Sequence, residues 1–416
     1  MGQRVLLLLL LFTLITTEGF GQSIPKPGVL DASDFDFSNN RLDLSGTWLW
    51  YDGRLLAPNQ FNDTELVPVE FPGTWNDQRA SGNGQGSATY FLTVILPKET
   101  TELSVDLPHC YSSYILFANG EEVSRNGVPG VSKATTTPQW RPHVAPLKTT
   151  GDTIRLALQI TNYNHHKGGL KETIMMAPTS TLSQKATVTT YGKLLCIAIL
   201  FVIAIVFAVI WLRNGRKRVI VYFSLLSLTW AIRSLFSNDY LFIQYFPDFD
   251  WNTMVRIEYI TLYLTMIWSI LFLYRLFQNE GNQVVKYLLV TFNAAFIVYT
   301  VVTQPVEFTR LLPLYLATAG ALLIYGAGVV LVALINERRG ATWLTITVML
   351  GLGIFSYDIF TYEGFFSYNS LLFSVAYLFI FLMMSGALML HLDMVKSTKT
   401  TTTRLTYKDL YGESEN

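Results

Sequence analysis

The sequence predicts an all-β sandwich followed by an all-α bundle of seven transmembrane helices, and three observations carry that expectation. Half of the 416 residues are hydrophobic and only 14% are charged, where soluble domains average about a quarter. From Leu194 onward the chain is a succession of long apolar segments that count as seven. Before them, from Gln22 to about Thr190, short alternating or β-branched runs are separated by turn signals.

Residues 1–21 read as a secretory signal peptide. Arg4 supplies a basic start, residues 5–15 are apolar, and Gly19 and Gly21 are small enough for cleavage before Gln22. The apolar stretch is too short to span a bilayer comfortably. The segment that follows, residues 22–185, predicts one extracellular domain. Runs such as 90–96 (YFLTVIL), 114–118 (YILFA) and 153–160 (TIRLALQI) are punctuated by Asn119-Gly120, Pro129-Gly130 and Gly151-Asp152. This is the pattern of two packed sheets, without the strand–helix alternation of a parallel sheet. The Ser/Thr/Ala-rich stretch 176–190 reads as a short connector with room for a last strand.

The membrane domain is expected at 186–391, with spans at 194–212, 219–236, 253–274, 287–303, 311–335, 342–360 and 371–391. Each is long enough for a hydrocarbon core of about 30 Å. Arg213, Arg216, Lys217 and Arg218 follow the first span. Arg275 and Lys286 flank the gap after the third, Arg338 and Arg339 follow the fifth, and Lys396, Lys399, Arg404 and Lys408 lie in the tail. The other gaps hold Arg310 and the acids Asp239, Asp248 and Asp250. Lysine and arginine gather on the cytoplasmic side, so the sandwich is expected outside and the short tail, 392–416, in the cytoplasm.

Ionisable residues inside spans are costly and usually have a partner, a wet cavity or a role. Arg233 lies late in the second span, Arg256 and Glu258 early in the third, and Asp358 late in the sixth. All four fall towards the outer leaflet. Snorkelling to the interface would explain them singly. The sharper expectation is a buried ionic cluster of Asp358 with Arg233 or Arg256.

In the outer domain, Trp140 and Tyr163 stand out because loop-like sequence surrounds them, whereas most of its other aromatics suit a core. Arg141 and His143 neighbour Trp140, and Asn162, Asn164, His165, His166 and Lys167 neighbour Tyr163. An aromatic face with mixed donors and acceptors suits a sugar. These residues are the candidate ligand site. Adjacent histidines on a strand point to opposite faces, so His165-His166 gives no metal site, and no cofactor is expected.

The outer segment resembles the sugar-binding jelly-roll domains of glycoside hydrolase family 2 type. The similarity runs through Gly46-Thr47-Trp48, Pro72-Gly73-Thr74-Trp75, Gly86-Ser87-Ala88-Thr89-Tyr90, Leu96-Pro97, Asn119-Gly120, Val123 and Gly127. Together with residues 162–170 (NYNHHKGGL) and seven spans, the chain resembles the bacterial seven-transmembrane receptors with diverse intracellular signalling modules. In the membrane half the similar stretch runs from Tyr222-Phe223 through Trp251, Arg256 and Tyr259 to Phe272-Leu273 and Leu276-Phe277. The resemblance implies a jelly-roll sensor outside and helices that pass its state inward. Family members typically continue into an output domain, but residues 396–416 are a Thr-rich, mixed-charge tail with no phosphate-binding loop or kinase motif.

The expected function is a non-enzymatic membrane receptor in the bacterial inner membrane that senses a carbohydrate or similar small ligand and acts through a separate cytoplasmic or membrane partner. A transporter or envelope assembly component with a sugar-binding outer domain is the alternative. Lys+Arg and Asp+Glu both number 30, which gives no basic surface for nucleic acid. Cys110 and Cys196 are separated by the membrane boundary and imply no disulfide. A homodimer is left open.

Overall fold

The computed structural model describes residues 26–411 apart from 39, 59–65, 99–101, 149–150, 214–215, 339 and 363–367. The expected signal peptide, 1–21, lies outside the described residues, as do Arg339 and the last five residues. The first unit is a β-sandwich and the second a helical bundle.

The strands are β1 (Val29–Asp31), β2 (Leu42–Asp43), β3 (Gly46–Asp52), β4 (Val67–Phe71), β5 (Gly73–Thr74), β6 (Gly86–Ile95), β7 (Leu103–Leu107), β8 (Ser113–Ala118), β9 (Glu121–Asn126), β10 (His143–Pro146), β11 (Thr153–Asn162), β12 (Gly169–Leu170) and β13 (Met175–Pro178), with one short helix, α1 (Trp75–Gln78). The larger sheet runs β4-β3-β6-β11-β8-β9, and β1 adds in parallel to the end of β6 beyond β3. The smaller sheet runs β10-β7-β13-β2. Strand period puts Ala88, Tyr90, Leu92 and Val94 of β6, and Ile154, Leu156, Leu158 and Ile160 of β11, on the face that meets Leu103, Val105, Leu107 and Met176 of the smaller sheet. Trp48 stacks on Phe71 at 4.1 Å and is fully buried. The turn between β8 and β9 has positive φ at both Asn119 and Gly120, the type I′ geometry that Asn-Gly favours.

Among the described residues, seven helices are long and apolar enough to cross a membrane: α2 (Thr179–Arg213), α3 (Arg218–Phe236), α5 (Trp251–Leu276), α6 (Gln283–Val302), α8 (Leu312–Ile335), α9 (Ala341–Tyr362) and α10 (Ser370–Tyr411). They match the expected spans closely. Two short helices, α4 (Leu241–Tyr245) and α7 (Pro305–Arg310), lie at the sandwich end. Outward faces carry exposed side chains such as Val202, Ile324 and Leu372, as a lipid-facing surface requires. The stretch read as a connector is β13 followed without a break by the first turns of α2, where Leu182 is buried and Lys185 pairs with Asp106 of β7 at 3.2 Å. The last helix runs on to Tyr411, because elongating an existing helix avoids the cost of nucleation.

Helices α2, α3, α5 and α6 pack in sequence, α8, α9 and α10 form a second group, and α10 closes back on α2. Between α5 and α8 contact is sparse. The space between the two groups is a cavity that reaches the sandwich.

Candidate functional site

The roof of the cavity is built by loops of the sandwich. Asn162, the last residue of β11, is fully buried, and its side-chain amide donates to the carbonyls of Gly84 (2.7 Å), His165 (2.8 Å) and Lys167 (2.9 Å). Its Oδ1 accepts from the main-chain N–H of His165 (3.0 Å) and Asn164 (3.3 Å). One side chain thus satisfies the polar backbone of a tight turn that no ladder could reach. The turn also needs glycine: a Cβ on Gly168 would come within 1.9 Å of the Gly84 carbonyl oxygen.

This fold of the turn places the His165 ring inward. It stacks on Tyr111 at 4.6 Å and lies 5.4 Å from Trp140, and its Nδ1 accepts from Lys167 N–H at 3.0 Å. Burial pulls its pKa down to about 3, so the ring is neutral. His109 sits among Tyr111, Trp140 and Tyr240 at 5.4–5.5 Å, and burial pulls its pKa down to about 4. Trp140 is 2% exposed and meets Tyr240 and Trp251 of the bundle, each at 5.2 Å. An aromatic knot therefore joins the two units. Main-chain bonds fix its rim: Gln139 Nε2 donates to the Pro247 carbonyl (2.9 Å), and His166 N–H donates to Thr309 Oγ1 (3.1 Å).

Below the roof lie charged groups. Lys193 of α2, almost wholly buried, pairs with Asp239 at 3.0 Å, and Asp239 also accepts from Ser370 Oγ. Glu172 lines the same space; burial, with Asp239 adding to it, raises its pKa to about 7. Arg233 of α3 donates to the main-chain carbonyl of Glu258 at 2.6 Å, and it is the cation whose field reaches both the Glu258 and the Asp358 carboxylates. The cavity they share measures about 390 Å³, within the range of small-molecule sites.

Of the residues expected from sequence, Trp140, His165, Arg233, Glu258 and Asp358 line this cavity. Arg256 does not: its guanidinium donates to the carbonyls of Thr300 (3.2 Å) and Thr303 (2.9 Å) at the end of α6. Arg141, His143, Tyr163, Asn164 and Lys167 lie outside the lining. Tyr163 hydroxyl donates to the Val131 carbonyl at 2.7 Å, and Arg141 and His143 are exposed on the approach to β10 and its first residue. Asn162 shapes the turn rather than the cavity wall. Lys193, Glu172 and Tyr240 are lining residues that sequence reasoning passes over. The signal available was Lys193, the one charge set directly before the most apolar span.

Residues 189–391 match the family model described as 7TM diverse intracellular signalling. The membrane half of the chain is a domain of that family. No curated protein matches the chain. Similar solved structures include a glycosyl hydrolase family 2 member from Bacteroides cellulosilyticus, at 11% identity over 33% of this chain and 20% of that one, with a TM-score of 0.27. Bacteroides uniformis beta-glucuronidase 2 gives 15%, 33%, 17% and 0.27. Faecalibacterium prausnitzii beta-glucuronidase gives 14%, 34%, 32% and 0.27. The chain thus spans a third or less of these proteins' lengths, and scores of this size carry no functional argument.

Proposed function

We propose that this chain, with its domain of the 7TM diverse intracellular signalling family at residues 189–391, is a receptor that senses an extracytoplasmic carbohydrate or similar small ligand and passes its state to a cytoplasmic signalling partner. The membrane is the bacterial inner membrane, with the sandwich outside; the Lys and Arg residues after α2 and around the α5–α6 and α8–α9 turns support that orientation.

The observation that carries the reading is the ownership of the cavity. Its roof, Trp140 and His165, belongs to the sandwich, and its walls, Arg233, Glu258 and Asp358, belong to three different helices. A ligand that binds one arrangement of roof and walls better than another shifts the population of helix arrangements by that difference in affinity. The polar lining is concentrated at the sandwich end, and the deeper lining is mostly aliphatic, which suits sensing better than passage of a polar solute.

The full chain in lipid nanodiscs, screened for thermal shift against sugars, oligosaccharides and sugar acids, tests the ligand half. At least one class should stabilise the wild type and lose its effect in Trp140→Ala. Silence across the panel would remove the sugar. Affinity capture from native membranes tests the partner half, which an absence of any co-purifying cytoplasmic protein would sink.

A further inference from the structure

The cavity has two chemically different ends. At the sandwich end, Glu258 Oε2 is buried with no hydrogen-bond partner, the Tyr240 hydroxyl faces the same carboxylate, and Asp358 lines the same space. Both carboxylates lie beneath the aromatic roof of Tyr111, Trp140 and His165. Lys193 is paired with Asp239, Arg233 is held at the Glu258 carbonyl, and Lys171 lines the same end with its charge reaching Asp358. This end therefore offers carboxylate oxygens with room for a further donor.

The other end is apolar and deep. Below Asp358 the lining turns to side chains such as Leu226, Leu262, Met266, Leu323 and Val348 and continues as far as Leu344. Its threonine hydroxyls are used within the helices, Thr265 donating to the Thr261 carbonyl and Thr347 to the Trp343 carbonyl, both at 2.8 Å, which leaves the buried Tyr274 hydroxyl beside Tyr325 as the polar group at the far end. Along α9, the step from Asp358 to Leu344 is about 21 Å at 1.5 Å per residue, deeper than one leaflet's share of a core of about 30 Å. A bare sugar would fill only the upper end and leave this arm without apolar contacts.

We propose that the cavity takes a single-chain amphiphile with a hydroxyl-rich, sugar-like head. The head donates to Glu258 and Asp358 with its apolar face against the roof aromatics, and the chain runs down between α3, α5, α8 and α9. The acids Glu172, Glu258 and Asp358 balance the cations Lys171, Lys193 and Arg233 in the lining, so a neutral head fits better than an anionic one. The proposal rests on the reading of the cavity as the receptor's ligand site.

The test uses the full chain in nanodiscs and dodecyl β-glucoside carrying a photoactivatable diazirine near the end of its chain. After irradiation, labelled residues are mapped by mass spectrometry. Label is expected within 262–273 and 344–351 at least fivefold above that on the lipid-facing Val202 and Leu372. It should be lost in Met266→Trp, which fills the arm, and in Asp358→Leu, with exterior labelling unchanged in both. The wild-type map decides alone if either variant fails to fold. Label confined to lipid-facing residues would overturn the proposal, and so would a diazirine-bearing dodecyl phosphate that labels the arm as strongly as the glucoside. Should methyl glucoside bind while the glucoside chain never enters the arm, the receptor reading stands and this inference falls. Should no glycoside bind with or without a chain, both fall.

Discussion

Replacing Asn162 by alanine should destabilise the sandwich and collapse the turn that carries His165. The side chain makes five hydrogen bonds, three donated and two accepted. Two amide hydrogens are shared among three carbonyls, so the set counts as about four full bonds. At about 1 kcal/mol each, the loss is about 4 kcal/mol. For a unit of this size, each kcal/mol lowers Tm by about 2–4 °C, which gives a fall of roughly 8–16 °C in the sandwich transition, read by calorimetry on the full chain. Asn162→Asp is the sharper variant. It keeps the shape and the acceptor but sets a carboxylate oxygen against three carbonyls, so at pH 7 it should be at least as harmful as alanine. Burial and the facing carbonyls raise that carboxyl's pKa, so part of the loss should be recovered as pH falls from neutrality towards about 4, the ordinary aspartate value. A fall of less than about 3 °C for alanine, or an aspartate variant with wild-type stability at pH 7, would refute the claim that this amide holds the turn.

Other outcomes follow from the junction. Burial keeps His165 neutral in the fold, whereas the unfolded chain takes up a proton below the ordinary value of 6.5, so its contribution to stability falls as pH drops from about 6.5 towards 3. His109 acts in the same direction down to about 4, while Glu172, raised to about 7 by burial, opposes them between 4.5 and 7. The difference in Tm between wild type and His165→Gln isolates the ring; it should change steadily between pH 6.5 and 4, and a difference that stays flat there would count against a buried neutral imidazole. A double-mutant cycle of Lys193→Met and Asp239→Asn should give a coupling of about 1–3 kcal/mol, since the lysine is buried and the acid only partly so; less than about 0.5 would mark the pair as incidental. Asp358→Arg should impair folding or signalling, and Arg233→Asp should rescue it while Arg256→Asp should not; equal rescue by both would contradict the different environments of the two arginines.

The membrane half was legible in the sequence because length and hydropathy alone define a span, and the observed helices begin and end within a few residues of expectation except where α2 and α10 run on. The backward extension of α2 to Thr179 was not legible. Its Ser, Thr and Ala residues show no strong apolar period, and the helix there is stabilised by docking Leu182 and Lys185 on the smaller sheet. The candidate site was partly visible. Trp140 and Tyr163 stood out by loop-like surroundings, but it is Trp140 and Tyr163's neighbour His165 that line the cavity, while Arg233, Glu258 and Asp358 stood out by their cost in hydrocarbon. Arg256 belongs to the same leaflet but not to the same face, because residues two apart on a helix do not look the same way. Tyr240 and Lys193 become site residues only when sandwich and bundle meet, and no local pattern encodes that meeting.

The unbroken run of α2 from the edge of a sheet into the membrane has a geometric corollary. Its 35 residues form a shaft of about 52 Å turning about 100° per residue. One residue inserted between Thr179 and Lys193 would swing the sandwich by that angle about the bundle and carry Trp140 away from Tyr240 and Trp251. Two full turns, seven residues, would nearly restore the bearing but lift the roof by about 10 Å. The spacing of this plain, Thr-rich stretch is therefore a gear ratio between sensor and membrane, and its length is constrained far more tightly than its composition.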